Sequence, residues 1–386
     1  MAWVKKIFLI FLAWRALLFL PLLAGNLLFT YRTGYEYTNL WKFVKPYFPV
    51  DSIFLYPWAN FDGIHYLSIS AFGYTNNGGF FPLYPLLIRS LSSLFGTGQA
   101  FGQIQFFSGL FISNLAFFLA LLVFYKLIKL DFSEKTAFLS ILFLLIFPTS
   151  FYFVSIYTES LFLLFALLSF YYARKNYWLK ASLFAMLLTA TRLVGIGIFP
   201  VLIYMFFKQE KIKKITDFFP KSLSLLIAPL GLIIYIIFNW LKWNNPFYFI
   251  FAQGQFANNR SVDQLVLFPQ TIFRYFKLLF NLPASQYEWW IALLELAIFF
   301  WALVLFYFAL KKKINFSYIL FSAFCFLIPA SSGTFSGLPR YVLSLFPLFI
   351  VLSIVLKFKT RIVYLSLSGI LLFILLMFFS KGYFVA

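Results

Sequence analysis

At 386 residues, 63% hydrophobic, 11% charged and with a mean hydropathy of +0.91, the chain lies far outside the usage of a soluble domain, where about a quarter of residues are charged. Runs of roughly 20 apolar residues recur from end to end, each long enough to cross a hydrocarbon core of about 30 Å as a helix; they are continuous rather than alternating, which argues against a β-barrel. The single Cys325 excludes an internal disulfide and a cysteine-based metal site, and the net charge of +20 must be interpreted from where the charges lie.

Residues 1–29 begin with Lys5 and Lys6 and continue as "IFLIFLAWRALLFLPLLAG". The apolar part exceeds a signal-peptide core, so a retained first helix is expected. Lys and Arg then cluster at Lys5/Lys6, Lys126/Lys129/Lys135, Arg174/Lys175/Lys180, Lys208/Lys211/Lys213/Lys214/Lys221, Lys311/Lys312/Lys313 and Lys357/Lys359/Arg361, which together hold 19 of the 31 basic residues. The positive-inside rule assigns all six to the cytoplasm, so the charge is a topology signal and nucleic acid is not implied.

Requiring the six clusters to share a side predicts spans over 6–24, 101–125, 136–156, 158–173, 179–192, 193–207, 221–243, 289–310, 315–330, 340–357 and 362–380. The expected fold is therefore a single all-α polytopic membrane domain over residues 1–386, with about eleven transmembrane helices, its N-terminus cytoplasmic and its C-terminus outside. Residues 179–207 must leave and return within about 29 residues, which two short helices meeting near Arg192 to Gly197 achieve. Three connections face outward, roughly 25–100, 244–288 and 331–339; the first is long, rich in aromatics suited to the water–lipid boundary, and carries periodic segments over 63–72 and 81–95 that predict interfacial helices.

Of the acidic residues, Asp131, Glu134, Glu210 and Asp217 fall in the cytoplasmic clusters, whereas Glu36, Asp51, Asp62, Glu159, Asp263, Glu288 and Glu295 fall outside or near outer helix ends, as do Arg192, Arg260 and Arg340. The topology gathers Asp62, His65, Glu159, Arg192 and Arg340 on one outer face. Ionisable groups at that depth are costly unless they face a cavity or one another, which makes them a candidate site. Each also has a structural alternative. Asp62 could cap a short helix, Thr158 could cap the helix that Glu159 begins, Arg192 could neutralise Glu159, and His65 could be a buried hydrogen-bonding side chain. One His and scattered carboxylates make no metal spacing, so no cofactor is expected.

"FDGIHYLSISAFGY" (61–74) followed by "GGFFPLYPLLIRSL" (78–91) resembles the signature of the PIG-V-like mannosyltransferases, and "SNLAFFLALLVFYKL", "FPTSFYFVSIYTESLFLLFALLSFYYARK", "ATRLVGI" and "PRYVLSLFPLF" follow in that family's order, from about residue 58 to 350. The resemblance implies the GT-C glycosyltransferase fold, a polyprenyl-phosphate sugar donor and a site on the non-cytoplasmic face. Asp62 then matches the acid of the first outer loop, the candidate catalytic base. The family's Arg-Trp before that acid is replaced here by Asn60 and Phe61.

Arg340 and Arg192 are the expected donor-phosphate ligands, because a guanidinium fork bonds two phosphate oxygens. His65 is expected to orient Asp62 or assist the acceptor, and Glu159 to order Arg192 or bind a sugar hydroxyl, with Tyr66 and Tyr341 supporting the substrate. The expected partners are the donor lipid, the membrane and a lipid, glycan or protein acceptor. GT-C oligosaccharyltransferases use a divalent metal, but their paired-acid motif is missing, so metal independence is expected. A lipid flippase or transporter, or a GT-C enzyme using another sugar, is the competing reading.

Overall fold

A backbone placed in lipid must satisfy its own polar groups, and the apolar runs do so as α-helices. The computed structural model describes residues 2–35, 51–96, 102–209, 215–256 and 266–386; Glu36, Glu210, Lys211, Lys213, Lys214, Arg260 and Asp263 lie outside the described residues. In chain order the helices are α1 (Ala2–Leu17), α2 (Phe19–Leu28), α3 (Asp62–Phe72), α4 (Leu83–Ser93), α5 (Gln103–Ile128), α6 (Glu134–Leu145), α7 (Glu159–Arg174), α8 (Trp178–Thr189), α9 (Ile198–Gln209), α10 (Ile215–Leu225) and α11 (Leu230–Trp243). There follow α12 (Tyr248–Phe251), α13 (Gln253–Phe256), α14 (Phe268–Asn281), α15 (Tyr287–Lys311), α16 (Phe316–Ala330), α17 (Leu338–Tyr341), α18 (Phe346–Val355) and α19 (Phe358–Ser380). Among the described residues the only extended pairing is an isolated bridge from Val266 to Ser332.

Among the described residues, four helical stretches are long and apolar enough to cross a membrane: Ala2–Leu28, Gln103–Ile128, Tyr287–Lys311 and Phe358–Ser380. A fifth is possible by length if Leu338–Ser344 and Phe346–Val355, which meet at 81°, form one broken span. The other apolar helices are shorter. The segments expected to be interfacial, 63–72 and 81–95, form α3 and α4.

The chain divides into two compact units, Met1–Leu164 with Leu356–Val385, and Phe165–Val355. In the first, the expected span 136–156 is not one helix. Ser133 accepts a hydrogen bond from the Thr136 amide to start α6, which ends at Leu145. Twelve residues rise about 18 Å, short of a hydrocarbon core of about 30 Å. The chain then runs through a 3₁₀ turn (Ser150–Val154) and otherwise non-helical backbone to Thr158, and every residue from Phe147 through Ser160 is buried. Irregular backbone at such depth requires internal partners. The Ile156 amide donates to the Trp58 carbonyl at 2.8 Å, while Ser150 Oγ and Ser155 Oγ donate to the Leu145 and Phe151 carbonyls at 2.6 and 2.9 Å.

In the second unit the predicted break near Arg192 is present. Helix α8 stops at Thr189, Arg192 is extended (φ −158°, ψ 148°), and a 3₁₀ turn over Leu193–Gly197 leads into α9. Helix α11 and the turn before it hold this break closely: Thr189 Oγ1 donates to the Ala228 carbonyl at 3.0 Å, and a Cβ on Gly231 would overlap the Met186 carbonyl and lie 2.6 Å from Thr189 Oγ1. Gly231→Ala is therefore expected to destabilise this unit by about 1–3 kcal/mol, the usual cost of overpacking, measurable as a lowered unfolding midpoint in detergent.

Candidate active site

In the first unit, the segment before Asp62 is wedged into protein. Residues Tyr56–Ala59 form a buried 3₁₀ turn in which Trp58 Nε1 donates to the Phe54 carbonyl at 2.7 Å. Asn60 is fully buried: its Nδ2 donates to the Phe379 carbonyl (2.8 Å), its Oδ1 accepts from Tyr35 Oη (3.3 Å), and its carbonyl accepts from Tyr157 Oη (2.7 Å). The position that carries Arg in the pattern read from the sequence is thus a structural anchor here. Phe61 follows at φ 58°, ψ −112°, a conformation rare for a bulky residue and costing roughly 1–3 kcal/mol. Its ring packs on Phe379 and Phe384, with centroids 5.6 and 5.3 Å apart.

Asp62 is the first residue of α3 and half-buried. The N-cap position is Phe61, which supplies no side-chain bond, and Asp62 stands one residue inside the first turn, where the helix dipole favours an acid. His65, one turn on, stacks on Phe80 with centroids 4.6 Å apart. Burial lowers the His65 pKa, and the charge of Asp62 raises it in part. The imidazole is therefore neutral near pH 7. A folded pKa below the unfolded value leaves stability intact above about 6.5 and erodes it as pH falls further. His65→Gln is expected to flatten the fall of the unfolding midpoint between about pH 7 and 5.5.

Tyr66 lies edge-on to Phe80 and Tyr84. Tyr84 is fully buried, its Oη within 2.9 Å of the Gly109 carbonyl and 2.7 Å of Ser113 Oγ. Burial, with smaller effects from Tyr66 and Glu159, pushes its pKa up, so it stays a neutral phenol. Glu159, 2% exposed, begins α7. Thr158, the expected cap there, is buried with Oγ1 making no hydrogen bond among the described residues.

Two supports went unnoticed in the sequence. One is Tyr84. The other is Arg15 inside the first apolar run: its Nε donates to Asn114 Oδ1 at 3.2 Å, and its guanidinium lies 4.2 Å from the Trp58 ring centroid. An arginine within an apolar run was itself the signal.

In the second unit, Gly337 at φ 83° takes the left-handed turn that starts α17, and the Arg340 amide donates to its carbonyl at 3.1 Å. Arg340 is 6% exposed. Its guanidinium lies 5.5 Å from the centroid of the Tyr341 ring, and that of Arg192 lies 5.2 Å from the same centroid. One half-buried aromatic ring thus orients two cations that are distant in sequence.

The family model for Mannosyltransferase (PIG-V) matches residues 4–217. The chain belongs to this family. The PIG-V match includes Asp62, His65, Tyr66, Glu159 and Arg192, and it ends before Arg340 and Tyr341. It places the protein among membrane mannosyltransferases, in keeping with its long apolar helices. No curated protein and no solved structure matches the chain. Among the described residues no three His, Cys, Asp or Glu side chains are grouped as metal ligands.

Proposed function

We propose that this PIG-V family member is a GT-C glycosyltransferase of about eleven spans that moves mannose from a polyprenyl-phosphate donor to a hydroxyl on an extracytoplasmic acceptor, inverting the anomeric carbon. A lipid-linked donor dissolves in the bilayer, so an enzyme built of helices meets it where it resides. The acceptor oxygen attacks C1 of the sugar from the face opposite the phosphate. Asp62 takes the hydroxyl proton as the new C1–O bond forms, work worth roughly 10²–10⁴-fold. The C1–O bond to phosphate breaks, and the polyprenyl phosphate departs with the electron pair.

Arg340 and Arg192 neutralise the growing charge on that leaving group. Fixed cations do so without reorganising, and two guanidinium groups oriented by one ring repel each other less when an anion joins them. His65, neutral and one turn from Asp62, steadies the carboxylate, while Glu159, Tyr66 and Tyr341 contact the sugar. The six basic clusters support a cell-membrane topology with the N-terminus inside.

The observation that supports this reading is the Asp62 turn: a strained Phe61 and a buried, hydrogen-bonded Asn60 fix the position of the carboxylate that follows them. Outliers of this kind collect at active sites. The test supplies the purified protein in nanodiscs with labelled polyprenyl-phosphate mannose and membrane extract. A labelled glycolipid, glycan or protein is the expected result; folded protein that transfers from no polyprenyl-phosphate sugar overturns the reading in favour of a flippase. Because the arginines supply the positive charge, transfer is expected to survive EDTA, and its abolition with restoration by a divalent ion would count against that assignment.

A further inference from the structure

The amphipathic helix α14 (268–281) buries the wrong residues for a helix packed by apolar contact alone. It turns Thr271 and Tyr275 inward and leaves Phe273 69% and Phe280 85% exposed. The exposed rings suit a lipid boundary, but the inward tyrosine needs a reason. Its hydroxyl provides one. Tyr275 Oη lies 2.5 Å from Glu295 Oε2 on α15, 3.1 Å from Thr334 Oγ1 and 2.9 Å from the Phe335 amide nitrogen. A phenol has one proton and two lone pairs, so it donates to the carboxylate and accepts from the amide and the threonine, which saturates it. Burial and the Glu295 carboxylate push the Tyr275 pKa up, so the proton stays on the phenol.

The same loop is gripped elsewhere. Arg274 Nη1 donates to the Gly333 carbonyl at 3.2 Å, the Val266 amide donates to the Ser331 carbonyl at 3.1 Å, and the Phe335 ring packs on Tyr275 and Phe299. From Phe335 the chain passes without slack to Arg340: the Leu338 amide donates to the Phe335 carbonyl, and the Arg340 amide to that of Gly337. A carboxylate 5% exposed on an apolar helix is costly, and an apolar pair of similar volume would serve packing as well or better. Packing alone therefore does not account for a carboxylate at this position.

We propose that Tyr275 and Glu295 are positioning residues for Arg340. They lock residues 331–337, and so fix the guanidinium at the place where the leaving phosphate is held. The inference rests on the reading of Arg340 as a phosphate ligand.

The experiment measures equilibrium binding of undecaprenyl phosphate to the full chain in nanodiscs, with Tyr275→Phe, Arg340→Lys and the double variant forming a cycle. Tyr275→Phe keeps the ring stack and removes only the hydroxyl. It is expected to weaken binding about tenfold in protein that remains folded at the assay temperature, and to add nothing in the Arg340→Lys background, since residues acting through one another are non-additive. Glu295→Gln, which still accepts a hydrogen bond, should retain more affinity than Glu295→Ala. Additive effects, or unchanged affinity in Tyr275→Phe, overturn the positioning role alone. Unchanged affinity in Arg340→Lys and in Arg340→Ala overturns the phosphate reading, and this inference with it.

Discussion

Asp62→Asn is expected to lower turnover by about 10²–10⁴-fold while leaving affinity for the donor lipid within a small factor. Asparagine fills the same volume and can still accept a hydrogen bond, but it cannot take a proton from the attacking hydroxyl. The strained Phe61, the Asn60 anchor and the first turn of α3 remain as they are, so the fold is expected to persist. Single-turnover transfer, set beside equilibrium donor binding, separates the two quantities. Equal loss of binding and turnover would show that the carboxylate holds substrate instead of moving a proton, and unchanged turnover would remove Asp62 from the chemistry. A transporter without proton coupling at this site should be indifferent to the substitution.

Arg340→Ala is expected to cost about 10²–10³-fold in turnover, the usual effect of deleting one fixed donor to a developing oxyanion. Part of the loss should also be seen as weaker donor binding, because the phosphate is already charged in the ground state. Arg340→Lys keeps the charge without the planar fork and should fall between the alanine variant and the parent. Arg192→Ala should be milder, since Arg192 is half-buried and Arg340 almost fully so. The measurement is kcat and KM for a polyprenyl-phosphate donor. A lysine variant as impaired as alanine would mean that fork geometry matters more than charge; an alanine variant with full activity would remove Arg340 from the site.

Much of the helical architecture was legible in the sequence because composition and periodicity carry it. Long apolar runs gave the four long helical stretches, and the shortage of residues between Lys180 and Lys208 foretold the break at Arg192. Helix ends were less legible. The run 136–156 is as apolar as a span, and hydropathy cannot register that Phe147–Ser160 satisfies its backbone by reaching Trp58 nearly a hundred residues earlier. The same limit hid Tyr84 and Tyr275, whose partners are remote in sequence. Asp62 and His65 stood out as polar residues in an apolar chain, but the positive φ of Phe61 leaves no trace in residue type, because a phenylalanine there announces nothing about its backbone.

The grip on Asn60 has a consequence for how the molecule is made. Its amide bonds to a carbonyl 319 positions later in the chain, on the last long helix. Contacts of such separation are slow to form, because the whole intervening loop must first be closed. Through nearly all of synthesis at the translocon, therefore, the turn bearing Asp62 is without its latch. A nascent chain that ends before α19 lacks the bond that holds Asn60 beside Asp62.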